Sequence, residues 1–301
     1  MDKFNYLSGK WPLALLRGRC CGLLSETMST SAPATSILAY RRFGAGPPLV
    51  LLHGLGSDAH AWEAVLEELT AHRTVYAVDL PGVGGSSSTR VAAPSNPQAF
   101  ADVVEVWIKA IGLDRPHVAG NSLGGGIALE LARRGAASSA TLISPIGFWT
   151  AIEDLYCRWV LRGIRALAVA LRAITPVLLR FTVLRTAFFW PVVGRPWRLT
   201  PEQALAASSA LVKTTAFQET LQGCSVYRAH MGRVPDVPLT TAWGTRDALL
   251  PRCQARRARR AFPHSRFVWL QGCGHVPMTD DPPAVAAVLL AGSQPLKERL
   301  P

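Results

Sequence analysis

His117-Val118-Ala119-Gly120-Asn121-Ser122-Leu123-Gly124-Gly125-Gly126 reads as a strand, a very tight turn and the start of a helix, with a serine at the apex. The apolar run closes at Gly120, and Ile127, Ala128, Leu129 and Leu131 then open an amphipathic segment. The pattern is G-x-S-x-G, which lifts a serine hydroxyl clear of a sheet on a strand-to-helix turn. Gly120 and Gly124 flank Ser122 because side chains there would collide when strand and helix pack closely around it. The helix start behind the serine offers unpaired N–H groups to an anion. Alone, so short a pattern is weak; it gains weight from what stands elsewhere in the chain.

Three further stretches supply that weight. Upstream, Leu49-Val50-Leu51-Leu52 runs into His53-Gly54-Leu55-Gly56. Downstream, Thr240-Thr241-Ala242-Trp243-Gly244 leads to Asp247, and Phe267-Val268-Trp269-Leu270 leads through Gly272-Cys273-Gly274 to His275. The order is oxyanion loop, serine, acid, histidine. In these motifs the chain resembles the α/β-hydrolase superfamily over about residues 35–292, with the weakest match between about 148 and 236.

The resemblance assigns the chemistry. Ser122 is the expected nucleophile, and because a free hydroxyl is a poor one, a base must take its proton. His275 is the expected base, and Asp247 would hold the imidazole in the right tautomer and stabilise its charge. The backbone N–H groups of Leu55 and Leu123 would bind the oxyanion. No metal or organic cofactor is implied. Rivals exist for each role. His53 stands beside the oxyanion loop and is read as bracing it; His60, His72, His117, His230 and His264 lack any motif. Asp236, Asp280 and Asp281 compete as the acid, but Asp247 follows its strand in a W-G-x-x-D pattern. Asp79, in Asp79-Leu80-Pro81-Gly82-Val83-Gly84-Gly85-Ser86, is read as capping a glycine-rich loop that lacks the lysine and spacing of a phosphate loop.

Taken in order, the chain predicts an α/β fold: a mostly parallel central sheet with helices on both faces and an inserted helical lid. Ser36 to Phe43 alternates like an edge strand, while Leu49 to Leu52 is continuously apolar, as in a strand buried on both faces. Helices are expected at 58–70 and 97–111, strands at 75–78 and 140–144. After Pro145 the alternation stops. Ile152, Leu155, Tyr156, Trp159, Ile164, Leu167, Ala168 and Leu171 keep helical spacing, with Arg158, Arg162, Arg165 and Arg172 on the opposite side and Pro176 ending the helix. Residues 148–236 are therefore expected to form the lid, inserted after the sixth core strand, with a core of 35–147 and 237–292 and a C-terminal tail of 293–301. So apolar a lid should wall a hydrophobic acyl or ring pocket. Residues 1–34 form an expected N-terminal extension with poor order. Within it, 1–27 is read as dispensable, the alternative being a weak amphipathic surface anchor: its apolar stretch is too short to span a membrane, and it lacks a long apolar region and a small-x-small cleavage site.

The net charge is +12. It raises nucleic acid, an anionic membrane surface or acidic substrates as partners, and nucleic acid is set aside because no zinc module, helix-turn-helix or aromatic-basic sheet pattern occurs. Residues 150–235 hold eleven Arg or Lys against four Asp or Glu, and Arg252, Arg256, Arg257, Arg259 and Arg260 lie along one helix-like segment. Peripheral membrane contact through the basic lid is one reading, a solvated surface the other. The six cysteines have no metal-ligand spacing and suit reduced thiols in the cytoplasm, and Cys273 is read as packing a tight loop.

A serine at the elbow argues for ester or thioester hydrolysis of a hydrophobic small molecule. Carbon–carbon hydrolysis of ring-cleavage products is the runner-up, because Gly120-Asn121-Ser122-Leu123-Gly124-Gly125 looks like that family's elbow, although His53-Gly54-Leu55-Gly56-Ser57-Asp58 departs from its oxyanion segment. Cofactor-free perhydrolysis or haloperoxidation could use the same triad. The non-catalytic readings are a ligand-binding protein or a membrane-surface adaptor on this fold. Fold alone names no substrate.

Overall fold

The computed structural model describes residues 37–86, 94–233 and 235–294. The expected extension, residues 1–34, lies outside the described residues, as does the expected tail of 293–301 from residue 295 on. The chain begins with β1 (Tyr40–Phe43) and β2 (Pro48–Leu52), then a 3-10 turn over Ala59–Val65 leads into α1 (Leu66–Thr70). Next come β3 (Thr74–Val78), α2 (Pro97–Ala110), β4 (His117–Asn121), α3 (Leu123–Arg133) and β5 (Ser139–Ile143). Five helices follow: α4 (Ala151–Ala170), α5 (Thr175–Leu178), α6 (Thr182–Phe189), α7 (Pro201–Lys213) and α8 (Phe217–Cys224). The sheet resumes with β6 (Leu239–Gly244), α9 (Arg252–Ala261), β7 (Arg266–Leu270) and α10 (Pro282–Gly292).

The strands form one sheet in the order β1-β3-β2-β4-β5-β6-β7. All neighbours are parallel except β1, which pairs antiparallel with β3 (Tyr40 opposite Val78). Residues on successive strand positions point to opposite faces, so β2 feeds two cores. Val50 and Leu52 pack with Phe100, Trp107 and Ile127 of α2 and α3, while Leu49 and Leu51 pack with Trp62, Leu69 and the α10 residues Val285 and Leu289. This double burial is why β2 reads as an unbroken apolar run. From β2 the chain steps to β3 on one side, then crosses back to place β4 on the other, so β2 and β4 flank the topological switch point where α/β sheets carry ligands.

Several expectations change. The insertion follows the fifth strand rather than the sixth, since four strands precede β5 among the described residues. The first strand starts at Tyr40, not Ser36. Pro176 does not end α4: that helix stops at Ala170, and Pro176 sits in the first turn of α5, where its missing N–H costs nothing. The largest change is the orientation of α4. Ile152 and Trp159 are 80% and 69% exposed, whereas Asp154, Cys157 and Ala168 are buried and Arg158, Arg162 and Arg165 are half-buried. Arg158 pairs with Asp154 at 3.0 Å. Arg162 donates to Gln218 at 3.2 Å, and Arg165 donates to the Thr214 carbonyl at 3.2 Å while its guanidinium lies 5.0 Å from the Phe217 ring centroid. Arg158, Arg162 and Arg165 face protein, and Ile152, Leu155, Trp159 and Leu167 face out, while Ala168 is buried and Arg172 exposed.

Candidate active site

The parallel strands bring four loops to one edge of the sheet: those after β2 (Leu55), β4 (Ser122), β6 (Asp247) and β7 (His275). β4 ends at Asn121 and α3 starts at Leu123, so Ser122 alone makes the turn, at φ +57° and ψ −114°. Such a conformation costs a non-glycine residue about 1–3 kcal/mol and persists only where the surroundings enforce it. Here they do. Ser122 N–H donates to the Ile143 carbonyl at 2.9 Å, and its own carbonyl accepts from Gly126 and Ile146 at 3.1 and 3.3 Å. A Cβ on Gly120 would lie 2.1 Å from the Gly124 carbonyl oxygen, and one on Gly124 2.0 Å from that of Leu52. Strand and helix touch backbone to backbone, and only glycine permits it.

Leu123 is the first residue of α3, and Leu55 lies in the loop after β2; neither N–H has a hydrogen-bond partner among the described residues. Both are free to meet an oxyanion. His53 braces the Leu55 loop. Its Nδ1–H donates to the Gly54 carbonyl at 2.8 Å, and its Nε2 accepts the Leu80 N–H at 3.0 Å. Burial holds its pKa below the ordinary value, against the opposing pull of the Gly54 bond. Asp79 caps its loop, accepting the N–H groups of Ala59 and Gly85, each at 2.8 Å.

Asp247 and His275 meet. His275 Nδ1 lies 2.9 Å from Asp247 Oδ2, with both side chains almost wholly buried. The other carboxylate oxygen accepts from Leu249 and Leu250 N–H at 3.1 and 2.7 Å, which pins the acid before the ring reaches it. Nδ1–H therefore points at the carboxylate and Nε2 is left to act as a base. Ser122 Oγ has no hydrogen-bond partner among the described residues. Its link to the histidine runs through its neighbour: buried Asn121 donates from Nδ2 to the His275 carbonyl at 2.9 Å and to the Ile143 carbonyl at 3.2 Å. Serine–base bonds are commonly long in unliganded sites and tighten around substrate.

The insertion closes on three of these loops. From α4, Tyr156 OH donates to the Ala248 carbonyl at 2.9 Å, beside Asp247. From the segment after α6, Val192 accepts the Val276 N–H at 2.8 Å, and Gly194 and Gly274 approach so closely that a Cβ on either would lie 2.5 Å or less from the other's backbone nitrogen. From α7, Leu211 lies against Gly56. Asp280 ties the histidine loop and the insertion together, accepting N–H groups of Gly194 and Gly274 on one oxygen and of Arg195 on the other, at 2.6–2.9 Å. Burial pushes its carboxyl above the ordinary range, only partly offset by those three donors. Two cavities open elsewhere: one of about 460 Å³ beside Glu130, Arg133 and Tyr227, the other of about 530 Å³ between Arg256, Arg259, Arg260 and Pro263. Neither touches Ser122, Asp247 or His275.

The rivals fall away by position. Asp236 is exposed and pairs with Arg233, Asp281 caps α10 through the Ala284 N–H at 3.2 Å, and Asp280 is spent on backbone. His60 is exposed beside Asp58, and His117 bonds Ser139 at 2.8 Å. Buried Cys273 packs its loop, its thiol pushed up to about 12 by burial. No cluster of three His, Cys, Asp or Glu side chains among the described residues is arranged to hold a metal. Asn121 and Asp280 are the residues whose positioning roles sequence reasoning missed. A polar side chain ending a buried strand, and a second carboxylate five residues after the histidine, were the available signals.

This arrangement defines the class. The description of the alpha/beta hydrolase family matches residues 49–288, and the chain belongs to that family. It is similar to a protein of Mycobacterium tuberculosis described only as uncharacterized, 27% identical over 261 residues that cover 81% of this chain and 74% of that one. It is also similar to a pimeloyl-[acyl-carrier protein] methyl ester esterase of Aeromonas salmonicida, 37% identical over 95 residues, 32% of this chain and 35% of the esterase. Among solved structures, a bacterial membrane phospholipase A matches with a TM-score of 0.63 and 28% identity, covering 85% of this chain and 83% of the phospholipase.

Proposed function

We propose that this hydrolase is a serine enzyme that cleaves a carboxylic ester or thioester of a hydrophobic substrate through an acyl-enzyme on Ser122. The carrying observation is the His275–Asp247 pair, buried and oriented at 2.9 Å, in a loop bonded to the residue preceding Ser122. Ser122 Oγ attacks the acyl carbon while His275 Nε2 takes its proton; Asp247 stabilises the resulting imidazolium. The oxyanion settles on the N–H groups of Leu55 and Leu123, each such donor contributing about 2.7–4 kcal/mol to the transition state. The leaving alcohol or thiol departs with the proton from His275, and water reverses the steps to release the acid. The insertion acts as a lid, since it rests on the oxyanion, acid and histidine loops together, and substrate entry requires it to shift. The esterase and phospholipase likenesses support an ester substrate with an apolar acyl part.

The test is a fluorophosphonate probe and a panel of p-nitrophenyl esters of rising chain length beside a dienone-acid substrate. The wild type should label and cleave the esters, and Ser122→Ala should lose labelling and at least about 10⁴-fold of turnover. Full activity in Ser122→Ala, or turnover confined to the dienone acid, would overturn the ester assignment.

A further inference from the structure

Three hydrogen bonds grip the backbone at His275, and two of them lead into the insertion. The Val276 N–H donates to the Val192 carbonyl at 2.8 Å. The Gly274 N–H donates to Asp280 Oδ2 at 2.8 Å, and the same oxygen accepts the Gly194 N–H at 2.9 Å. The third is the Asn121 amide on the His275 carbonyl, at 2.9 Å. Asp280 Oδ1 takes the Arg195 N–H at 2.6 Å, and the Arg195 guanidinium turns to the carbonyls of Asp280 and Gln271 at 3.2 and 3.3 Å. The stretch 192–195 therefore sits against both neighbours of the proposed base, and Gly194 and Gly274 are too close for a side chain on either.

The loop that carries His275 needs such grips. Gly272, at φ +71°, and Gly274 stand on either side of Cys273, and glycine leaves a backbone free to move. The first half of the loop is tied to the acid loop: the Gly272 N–H donates to Thr245 Oγ1 and the Arg246 N–H to the Cys273 carbonyl, each at 2.8 Å. From Gly274 onward the hydrogen bonds come from Asp280, Asn121 and Val192. Asp280 is 3% exposed and gathers three N–H groups, and hydrogen bonds to an ionised acceptor are about twice as strong as neutral ones. A displacement of about 1 Å at a catalytic group can cost about 10²-fold in rate.

We infer that Asp280 is a positioning residue for the proposed hydrolysis: by joining residues 194 and 195 of the insertion to Gly274, it sets where the His275 ring stands between Asp247 and Ser122. The inference rests on the reading of His275 as the base. The experiment is hydrolysis of the best p-nitrophenyl ester, read together with the rate of fluorophosphonate labelling and the proton NMR signal of His275 Nδ1–H, assigned by its loss in Asp247→Asn. Asp280→Ala removes the acceptor of three N–H groups, so kcat and the labelling rate should each fall about 10²-fold with KM within about twofold, and the Nδ1–H signal should shift or broaden. Asp280→Asn keeps one oxygen for Gly194 and Gly274 and should lose about tenfold, so it carries the comparison if Asp280→Ala is unfolded by circular dichroism. Asp281→Ala is the control: it removes the cap of α10 and should lower the melting temperature while leaving kcat and the Nδ1–H signal unchanged. Full activity in Ser122→Ala would overturn the hydrolase reading and this inference with it. If Ser122→Ala is inactive while the Asp280 variants keep wild-type kcat, labelling rate and Nδ1–H signal, the positioning role alone is overturned. A loss of kcat in Asp281→Ala equal to that in Asp280→Ala would also overturn it, by showing that destabilisation alone accounts for the effect.

Discussion

At the scale of single residues, the site is braced by side chains outside the proposed triad. Asn121 is the clearest case. Its amide joins the elbow to the histidine loop, and Asn121→Ala leaves the His275 carbonyl without its donor, while the Ile143 carbonyl keeps the Ser122 N–H. It should cost about 1–3 kcal/mol of stability, read by denaturant titration. If the amide positions His275, turnover should also fall about tenfold with KM little changed. Asp247→Asn tests the acid differently. The amide oxygen can still accept from Leu249 and Leu250, but the charge that orients the ring is gone. Turnover on the best p-nitrophenyl ester should drop about 10⁴-fold with the melting temperature nearly unchanged.

At the scale of elements, two junctions hold the parts together. The first is the β4–α3 turn. Gly124→Ala would drive a Cβ into the Leu52 carbonyl and separate strand from helix, costing about 4 kcal/mol or more; the expected result is little soluble protein or a large fall in melting temperature. The second is the start of α4. Thr150 and Glu153 form a reciprocal cap, and Glu153 also takes hydrogen bonds from Arg257 on α9 and from Cys253 at 2.8 Å. Burial pushes this carboxyl up, but the Arg257, Cys253 and Thr150 hydrogen bonds outweigh it and hold it at about 2 against an ordinary 4.5. A carboxylate depressed in this way stabilises the fold above pH 4.5 and loses that contribution as pH falls through about 2. Thermal melts of the wild type should therefore fall more steeply than those of Glu153→Gln between about pH 4.5 and 2, and parallel slopes would remove Glu153 from the junction.

At the scale of the whole molecule, a parallel sheet carries the site loops on one edge, and the helical insertion rests on three of them. The family match begins at Leu49 and the first described strand at Tyr40. Deleting residues 1–27 should accordingly leave ester turnover and melting temperature unchanged. Among the described residues no helix is long and apolar enough to cross a membrane.

The order of loops, the elbow and the acid–histidine spacing were legible because they are local: a glycine needed at a close approach, a serine between strand and helix, an apolar run buried on both faces. Parallel topology then forces the ends of β2, β4, β6 and β7 to one edge, so reading the strands was nearly enough to gather Leu55, Ser122, Asp247 and His275. Other facts belonged to the assembled chain. Periodicity says which residues of α4 share a side, but not which side is buried; that depends on what α7 and α8 offer, and they accepted the arginines and left Trp159 outside. The Asn121 and Asp280 bonds join segments more than eighty residues apart, and such pairings exist only once the backbone has brought their donors and acceptors within reach.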